Sequence, residues 1–236
     1  LHSFPTRRSS DLIMAGGFGK RLGKMTEKCP KPMIKINNKP ILEHIINKAK
    51  EENFTDIYIS THYKSEVIEN YFGNGDKFNV NITYLKEEKP LGTGGSFKFM
   101  SKLTGPIVVT NGDIFSQIRF TDILNFHKAT SSDVTMSVFN HEIQNPFGVV
   151  RTDGFKLIQF EEKPTWTTKV NAGIYVVEDT VKEFINKKEN ISLPGIIKRM
   201  NDKNKKCSVY TMSDLWIDIG TKEQLKKAEA IIKNKL

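Results

Sequence analysis

Leu12-Ile13-Met14-Ala15-Gly16-Gly17-Phe18-Gly19-Lys20-Arg21-Leu22 carries an apolar run straight into a glycine-rich loop that closes on two basic residues. A short apolar run bounded by glycines reads as a buried strand, here residues 12–15. Glycines after a strand let backbone N–H groups approach a polyphosphate closely. Lys20 and Arg21 put positive charge where that anion would sit, and the Arg21 fork suits two phosphate oxygens. Ala15, Gly16, Gly17, Gly19, Lys20 and Arg21 are therefore candidate nucleotide contacts. The pattern is neither G-x-G-x-x-G nor a Walker loop, because no G-K-[ST] opens a helix. A tight turn with two solvated cations reads the same residues equally well.

Outward from this loop the chain alternates between strand and helix patterns. Ile41, Leu42, Ile45, Ile46 and Ala49 share one face of a helix over 41–50. A strand over 56–61, a helix over 65–71, a strand over 80–85 and a helix over 95–103 follow. Residues 106–110 then read as a buried strand ending in Asn111-Gly112-Asp113. Such alternation predicts βαβ units and an α/β fold with a mostly parallel sheet. Past residue 130 the connections shorten. Strands over 133–140, 148–151, 156–160 and 172–177 imply a partly antiparallel extension. Helices over 178–186 and 193–200, a strand over 207–212 and a helix over 221–235, capped by Thr221 with Gln224 three residues on, complete the chain. No repeat, linker or low-complexity segment interrupts residues 12–236, which read as one domain. Residues 1–11, LHSFPTRRSSD, lack an initiator Met and the apolar core of a signal peptide. They resemble translated sequencing-adapter read-through and are set apart from the fold as a non-native start.

With 236 residues, 38% of them hydrophobic, the chain can build a core without staples. Two cysteines, Cys29 and Cys207, in no C-x-x-C pattern exclude a disulfide framework and a cysteine zinc site, and fit a reducing cytoplasm. No stretch is apolar long enough to span a membrane. The net charge of +9 admits nucleic acid, an anionic membrane surface or anionic small substrates as partners. The lysines are scattered, as in 86–89 and 203–206, without interleaved aromatics or a nucleic-acid motif. Neither a nucleic-acid nor a membrane partner is expected; most of this charge reads as solvated surface, with a minority serving phosphates. His44, His62, His127 and His141 lack ligand spacing and read as structural or solvent-facing.

Further constellations gather around the loop. Cys29-Pro30-Lys31-Pro32-Met33 sets a lysine between two prolines that fix its backbone. Asp113 ends a buried strand, where ligands collect in open α/β sheets, and Asp218 follows the apolar Leu215-Trp216-Ile217. Two carboxylates reaching one pocket suit a hard cation that also binds phosphate oxygens, although each alone reads as a turn or helix cap. Pro90-Leu91-Gly92-Thr93-Gly94-Gly95-Ser96 has no large side chain to obstruct a base. Lys163, before Pro164, sits on a strand exit and either neutralises a phosphate or pairs with Glu162.

In this order, GGFGKRL, PKPM, PLGTGGS, NGD, FEEKP with NAGIY, and WIDIGT resemble the sugar-phosphate nucleotidyltransferase family over residues 12 to about 229. The resemblance implies a Rossmann-like core with a mixed central sheet and a sugar-binding extension. It implies in-line attack of a sugar 1-phosphate on the α-phosphate of an NTP, with Mg²⁺ and release of pyrophosphate. Arg21 would hold the triphosphate, and Gly92, Thr93 and Gly112 would contact the nucleotide. Asp113 and Asp218 would hold the metal. Lys31 and Lys163 would hold the sugar phosphate, and Gly148, Glu162 and Asn171 the sugar. The motifs look most like the subgroup acting on heptose, mannose or amino-sugar phosphates, often with GTP. Lys24 stands where many relatives have proline. The partners implied are small molecules, with a homo-oligomer left open. A catalytically silent sugar-nucleotide-binding subunit and a basic nucleic-acid-binding protein are the alternative classes.

Overall fold

The computed structural model describes residues 9–15, 20–27, 29–101, 103–186 and 189–233. Its strands are β1 (Ser9–Met14), β2 (Lys35–Ile36), β3 (Lys39–Pro40), β4 (Phe54–Thr61), β5 (Asn81–Lys86), β6 (Ile107–Asn111), β7 (Ile114–Ser116), β8 (Val134–Gln144), β9 (Val149–Asp153), β10 (Lys156–Glu161), β11 (Thr165–Val177), β12 (Cys207–Met212) and β13 (Trp216–Asp218). Its α-helices are α1 (Ile41–Glu51), α2 (Ser65–Phe72), α3 (Phe120–Thr130), α4 (Leu193–Asp202) and α5 (Lys222–Lys233). None of the helices described is long and apolar enough to cross a membrane.

Seven strands form one sheet in the order β12-β8-β11-β6-β1-β4-β5. The β6-β1-β4-β5 half is parallel, β11 runs antiparallel to both β6 and β8, and β12 is parallel to β8. The result is a Rossmann-like core with a mixed sheet. Side chains alternate across a strand, so each central strand feeds two cores. Val108, Ile174 and Val176 join one core, with α1, α2, α3 and α5; Ile107, Val109, Tyr175 and Val177 join the other, with α4. Ile41, Leu42, Ile46, Ile57 and Ile59 are almost fully buried. Each contributes roughly 1.5–3 kcal/mol by leaving water. Helix α5 starts as its sequence requires, with the Gln224 amide N–H donating to the Thr221 hydroxyl.

Several elements differ from the sequence expectation. Strand β1 begins at Ser9, so residues 9–11 continue the strand expected over 12–15 and pair with β4. The helix expected over 95–103 is a 3-10 segment, Gly95–Phe99, because its start is glycine-rich and glycine is a poor helix former. The one expected over 178–186 is likewise a 3-10 segment, Asp179–Phe184. Helix α3 was not anticipated, although Phe120, Ile123, Leu124 and His127 recur at helical spacing and are all buried. Strand β11 begins at Thr165, well ahead of the expected start at Ala172.

Strands β9 and β10 form a separate two-stranded ribbon. Cross-strand pairs Val150–Phe160 and Thr152–Leu157 share one face, while Arg151–Gln159 and Asp153–Lys156 share the other. Val150, Leu157 and Phe160 are more than half exposed, so the apolar face lies open.

Candidate functional site

The carboxyl ends of three parallel strands are level, with Met14 of β1 in register with Ser60 of β4 and Asn111 of β6. Open α/β sheets bind ligands beyond this edge. Just past Asn111 the chain turns through Gly112 and Asp113 into β7. Strand β7 pairs antiparallel with β13, setting Asp218 opposite Ile114, and the Ile219 amide N–H donates to the Asp113 carbonyl at 3.0 Å. This short ladder brings two aspartates distant in sequence to one point.

Lys31 meets them there. A 3-10 turn over Lys31–Met33, closed by the Met33 N–H on the Pro30 carbonyl, leaves Lys31 only 7% exposed. Its Nζ donates to Asp113 Oδ2 at 2.5 Å and to Asp218 Oδ1 at 3.4 Å. The carboxylates are about three-tenths exposed, at 29% and 31%. A buried ammonium requires such partners, and a cation between two carboxylates offsets their mutual repulsion. No group of three or more His, Cys, Asp or Glu side chains able to hold a metal occurs among the described residues.

The wall beside this triad is built by a bend in β11. The register of β11 on β8 shifts between Asn171 and Tyr175. Gly173 makes the bend with φ 72°, and a Cβ there would lie 2.7 Å from Asn111 Nδ2. Asn171 spends its side chain on the same bend: Oδ1 accepts from the Gly173 N–H at 3.0 Å and Nδ2 donates to the Tyr175 hydroxyl at 2.6 Å. Burial pushes the Tyr175 phenol above its ordinary pKa, although its bond to Asn171 opposes this. Trp216 donates its indole N–H to the Ala172 carbonyl at 2.7 Å and lies against Phe139, ring centroids 4.3 Å apart. Sequence reading overlooked Trp216 and Gly173 as individual contributors, though both stand inside quoted motifs.

On the nucleotide side, Ala15 is buried and its N–H donates to the Ser60 carbonyl. Gly16, Gly17 and Gly19 lie outside the described residues. Lys20 and Arg21 open a 3-10 segment, Lys20–Thr26, and their side chains also lie outside the description. The Pro90–Gly95 loop is clamped to the segment before α4. Gly92 has φ 75°, a conformation that favours glycine, and a Cβ there would meet the Ile191 carbonyl oxygen at 2.5 Å. The Thr93 hydroxyl accepts from the Leu193 N–H, so this side chain already serves the loop.

The residues expected at the sugar fall into two groups. Gly148 and Glu162 are neighbours: a Cβ on Gly148 would lie 2.9 Å from Glu162 Oε2 and 2.8 Å from the Phe160 ring. Lys163 follows in the left-handed region, φ 47°, ahead of Pro164, whose carbonyl accepts from the Asn145 N–H. Asn171 stands further along β11, whose register on β8 is unbroken from Thr165 to Asn171. At ~3.3 Å per residue, those six steps span roughly 20 Å. The structure thus joins Lys31, Asp113 and Asp218, and groups Gly148, Glu162 and Lys163 at the end of the ribbon where β9 begins and β10 ends. A cavity of about 530 Å³ between α1 and β7, lined by His44, Lys48, Phe115 and Phe120, contains none of the triad.

The histidines bind locally. His44 meets the Ile36 carbonyl, His62 the Glu87 carbonyl, and buried His127 lies between Thr135 and Glu178.

The family model described as nucleotidyl transferase matches residues 10–235. The chain is 30% identical over 221 residues to D-glycero-alpha-D-manno-heptose 1-phosphate guanylyltransferase of Aneurinibacillus thermoaerophilus, covering 92% of this chain and 96% of that protein. It is 31% identical over 232 residues to mannose-1-phosphate guanylyltransferase of Mycobacterium tuberculosis, covering 95% of this chain but 65% of that longer protein. Among solved structures, HddC from Yersinia pseudotuberculosis complexed with GMP-PN superposes with a TM-score of 0.73 at 23% identity, over 95% of this chain and 99% of that one. That last likeness is one of fold.

Proposed function

The chain belongs to the nucleotidyl transferase family, and we propose that it joins a sugar 1-phosphate to an NTP, GTP in preference, yielding an NDP-sugar and pyrophosphate. The observation that carries this reading is the convergence of Lys31, Asp113 and Asp218 at the carboxyl edge of the sheet. The preference for GTP rests on the two guanylyltransferases to which the chain is similar, as does a heptose or mannose phosphate as acceptor.

The donor set at the edge fits Mg²⁺. Asp113 and Asp218 offer hard carboxylate oxygens, part exposed, and a magnesium ion bound through two carboxylates completes its shell with phosphate oxygens and water. Bound there, it would neutralise charge on the α-phosphate as a Lewis acid. Lys31 holds the two carboxylates together and keeps an ammonium beside them, where a phosphate monoester dianion would be held. One acceptor-phosphate oxygen forms the new bond to the α-phosphorus as the bond to the β-phosphate oxygen breaks, and pyrophosphate leaves. No residue needs to become a covalent nucleophile. The chain's contribution is positioning and charge. Arg21 is assigned to the triphosphate, and Lys163 with Gly148 and Glu162 to the acceptor, while Asn171 holds the β11 bend.

The test is a pyrophosphate-release panel in which each NTP is crossed with several sugar 1-phosphates. GTP with a mannose- or heptose-type 1-phosphate should give the highest kcat/KM. Silence across the whole panel, with NTP still bound, would return the chain to a binding subunit.

A further inference from the structure

We propose that Glu87 is a positioning residue for the nucleotide, a buried carboxylate that locks the Pro90–Gly95 loop to the strand end from which the glycine-rich loop departs. This rests on the reading of those two loops as the nucleotide side of the site.

Glu87 lies in the charged run Lys86-Glu87-Glu88-Lys89, yet it is only 9% exposed. Both carboxylate oxygens are engaged. Oε1 accepts from the Ser60 hydroxyl at 2.6 Å, and Oε2 accepts from the Leu91 N–H at 2.9 Å. Its backbone is held as well, with the N–H donating to the Thr61 carbonyl at 2.9 Å and the carbonyl 2.8 Å from His62 Nδ1. Ser60 closes the circuit, since its own carbonyl accepts from the Ala15 N–H at 2.9 Å. One side chain therefore ties together the end of β4, the chain leaving β5 and the first residues of the base loop, and reaches Ala15 through one intermediate residue.

A buried carboxylate is tolerated only when hydrogen-bonded, and these two bonds exist together only when loop and strand keep this relation. The far side of the loop is fastened separately, by the Ile191 N–H on the Leu91 carbonyl and the Gly94 N–H on the Ile191 carbonyl. Loss of Glu87 leaves the loop held only from the segment before α4, where Asn190 Nδ2 also donates to the Pro90 carbonyl at 2.9 Å. None of its contacts touches Lys31, Asp113, Asp218 or the ribbon, so its effect falls on NTP binding.

The experiment compares Glu87→Ala, Glu87→Gln and Ser60→Ala in the full chain by two-substrate kinetics, equilibrium titration with NTP, and thermal melting. Glu87→Ala should weaken NTP binding and raise the KM for NTP about tenfold or more, the scale of a lost charge-assisted bond. The KM for the sugar phosphate should stay within about twofold, and kcat should change little. Glu87→Gln, which keeps one acceptor oxygen, should fall between. Ser60→Ala should move the NTP constants in the same direction by less, and it carries the test alone if Glu87→Ala does not fold. Unchanged NTP constants, or NTP and acceptor constants that worsen together in step with melting temperature, would overturn the proposal. Wild-type protein without NTP-dependent pyrophosphate release would instead overturn the assigned function.

Discussion

Lys31 is the residue on which the site turns. Its ammonium between two carboxylates makes the pair compatible with folding before any cation arrives. Removing charge from one carboxylate would separate the proposed metal binding from folding. Asp113→Asn should lower kcat by two or more orders of magnitude, since Lewis-acid stabilisation is worth several kcal/mol, while circular dichroism stays native. Wild-type turnover in this variant would remove Asp113 from the chemistry. Gly173 makes a second residue-scale prediction. At φ 72° and with Asn111 Nδ2 2.7 Å from a would-be Cβ, Gly173→Ala should cost roughly 1–3 kcal/mol in strain. Denaturant unfolding would read that loss, and kcat should fall with it because Asn111 leads into Asp113. Neither Gly173 nor Glu87 was legible as an individual from sequence. One is marked only by its backbone angle, and the other stands among charges that read as solvated.

Among elements, the β7–β13 ladder decides where the carboxylates meet, and the ribbon decides where Lys163 stands. A fixed lysine beside a phosphate dianion contributes ~1.5–3 kcal/mol. Lys163→Ala should therefore raise the KM for the sugar phosphate about tenfold while leaving that for NTP unmoved. Unchanged acceptor constants would leave the acceptor to Lys31 and the β11 bend, roughly 20 Å of strand beyond Thr165. Helix α3 offers a pH test. Burial pushes the His127 imidazole below its ordinary value of 6.5, against the opposing pull of Glu178. The unfolded chain thus binds the proton more readily, and stability rises with pH across that range. The contribution is complete above about 6.5 and is lost as pH falls through the lower folded value. Unfolding free energy should drop more steeply on the acid side in wild type than in His127→Gln; parallel profiles would refute a neutral buried imidazole.

At the scale of the whole molecule, one edge of a seven-stranded sheet collects the site. Chelation should abolish turnover, and added Mg²⁺ should restore it. The melting temperature should barely move, because Lys31 already compensates Asp113 and Asp218. A large fall in melting temperature on chelation would mean that the cation is structural. The sequence by itself determined the alternation of strands and helices, the glycine-rich turn after an apolar strand, and the family to which the ordered motifs point. Those are local properties, written in spacing and residue type. Only the tertiary structure decided that Lys31 pairs with both aspartates, that Glu87 is buried, and that Thr93 is spent on Leu193. These depend on which strands lie side by side and in what register, and a contact between residues far apart in sequence leaves no mark in the spacing around either one.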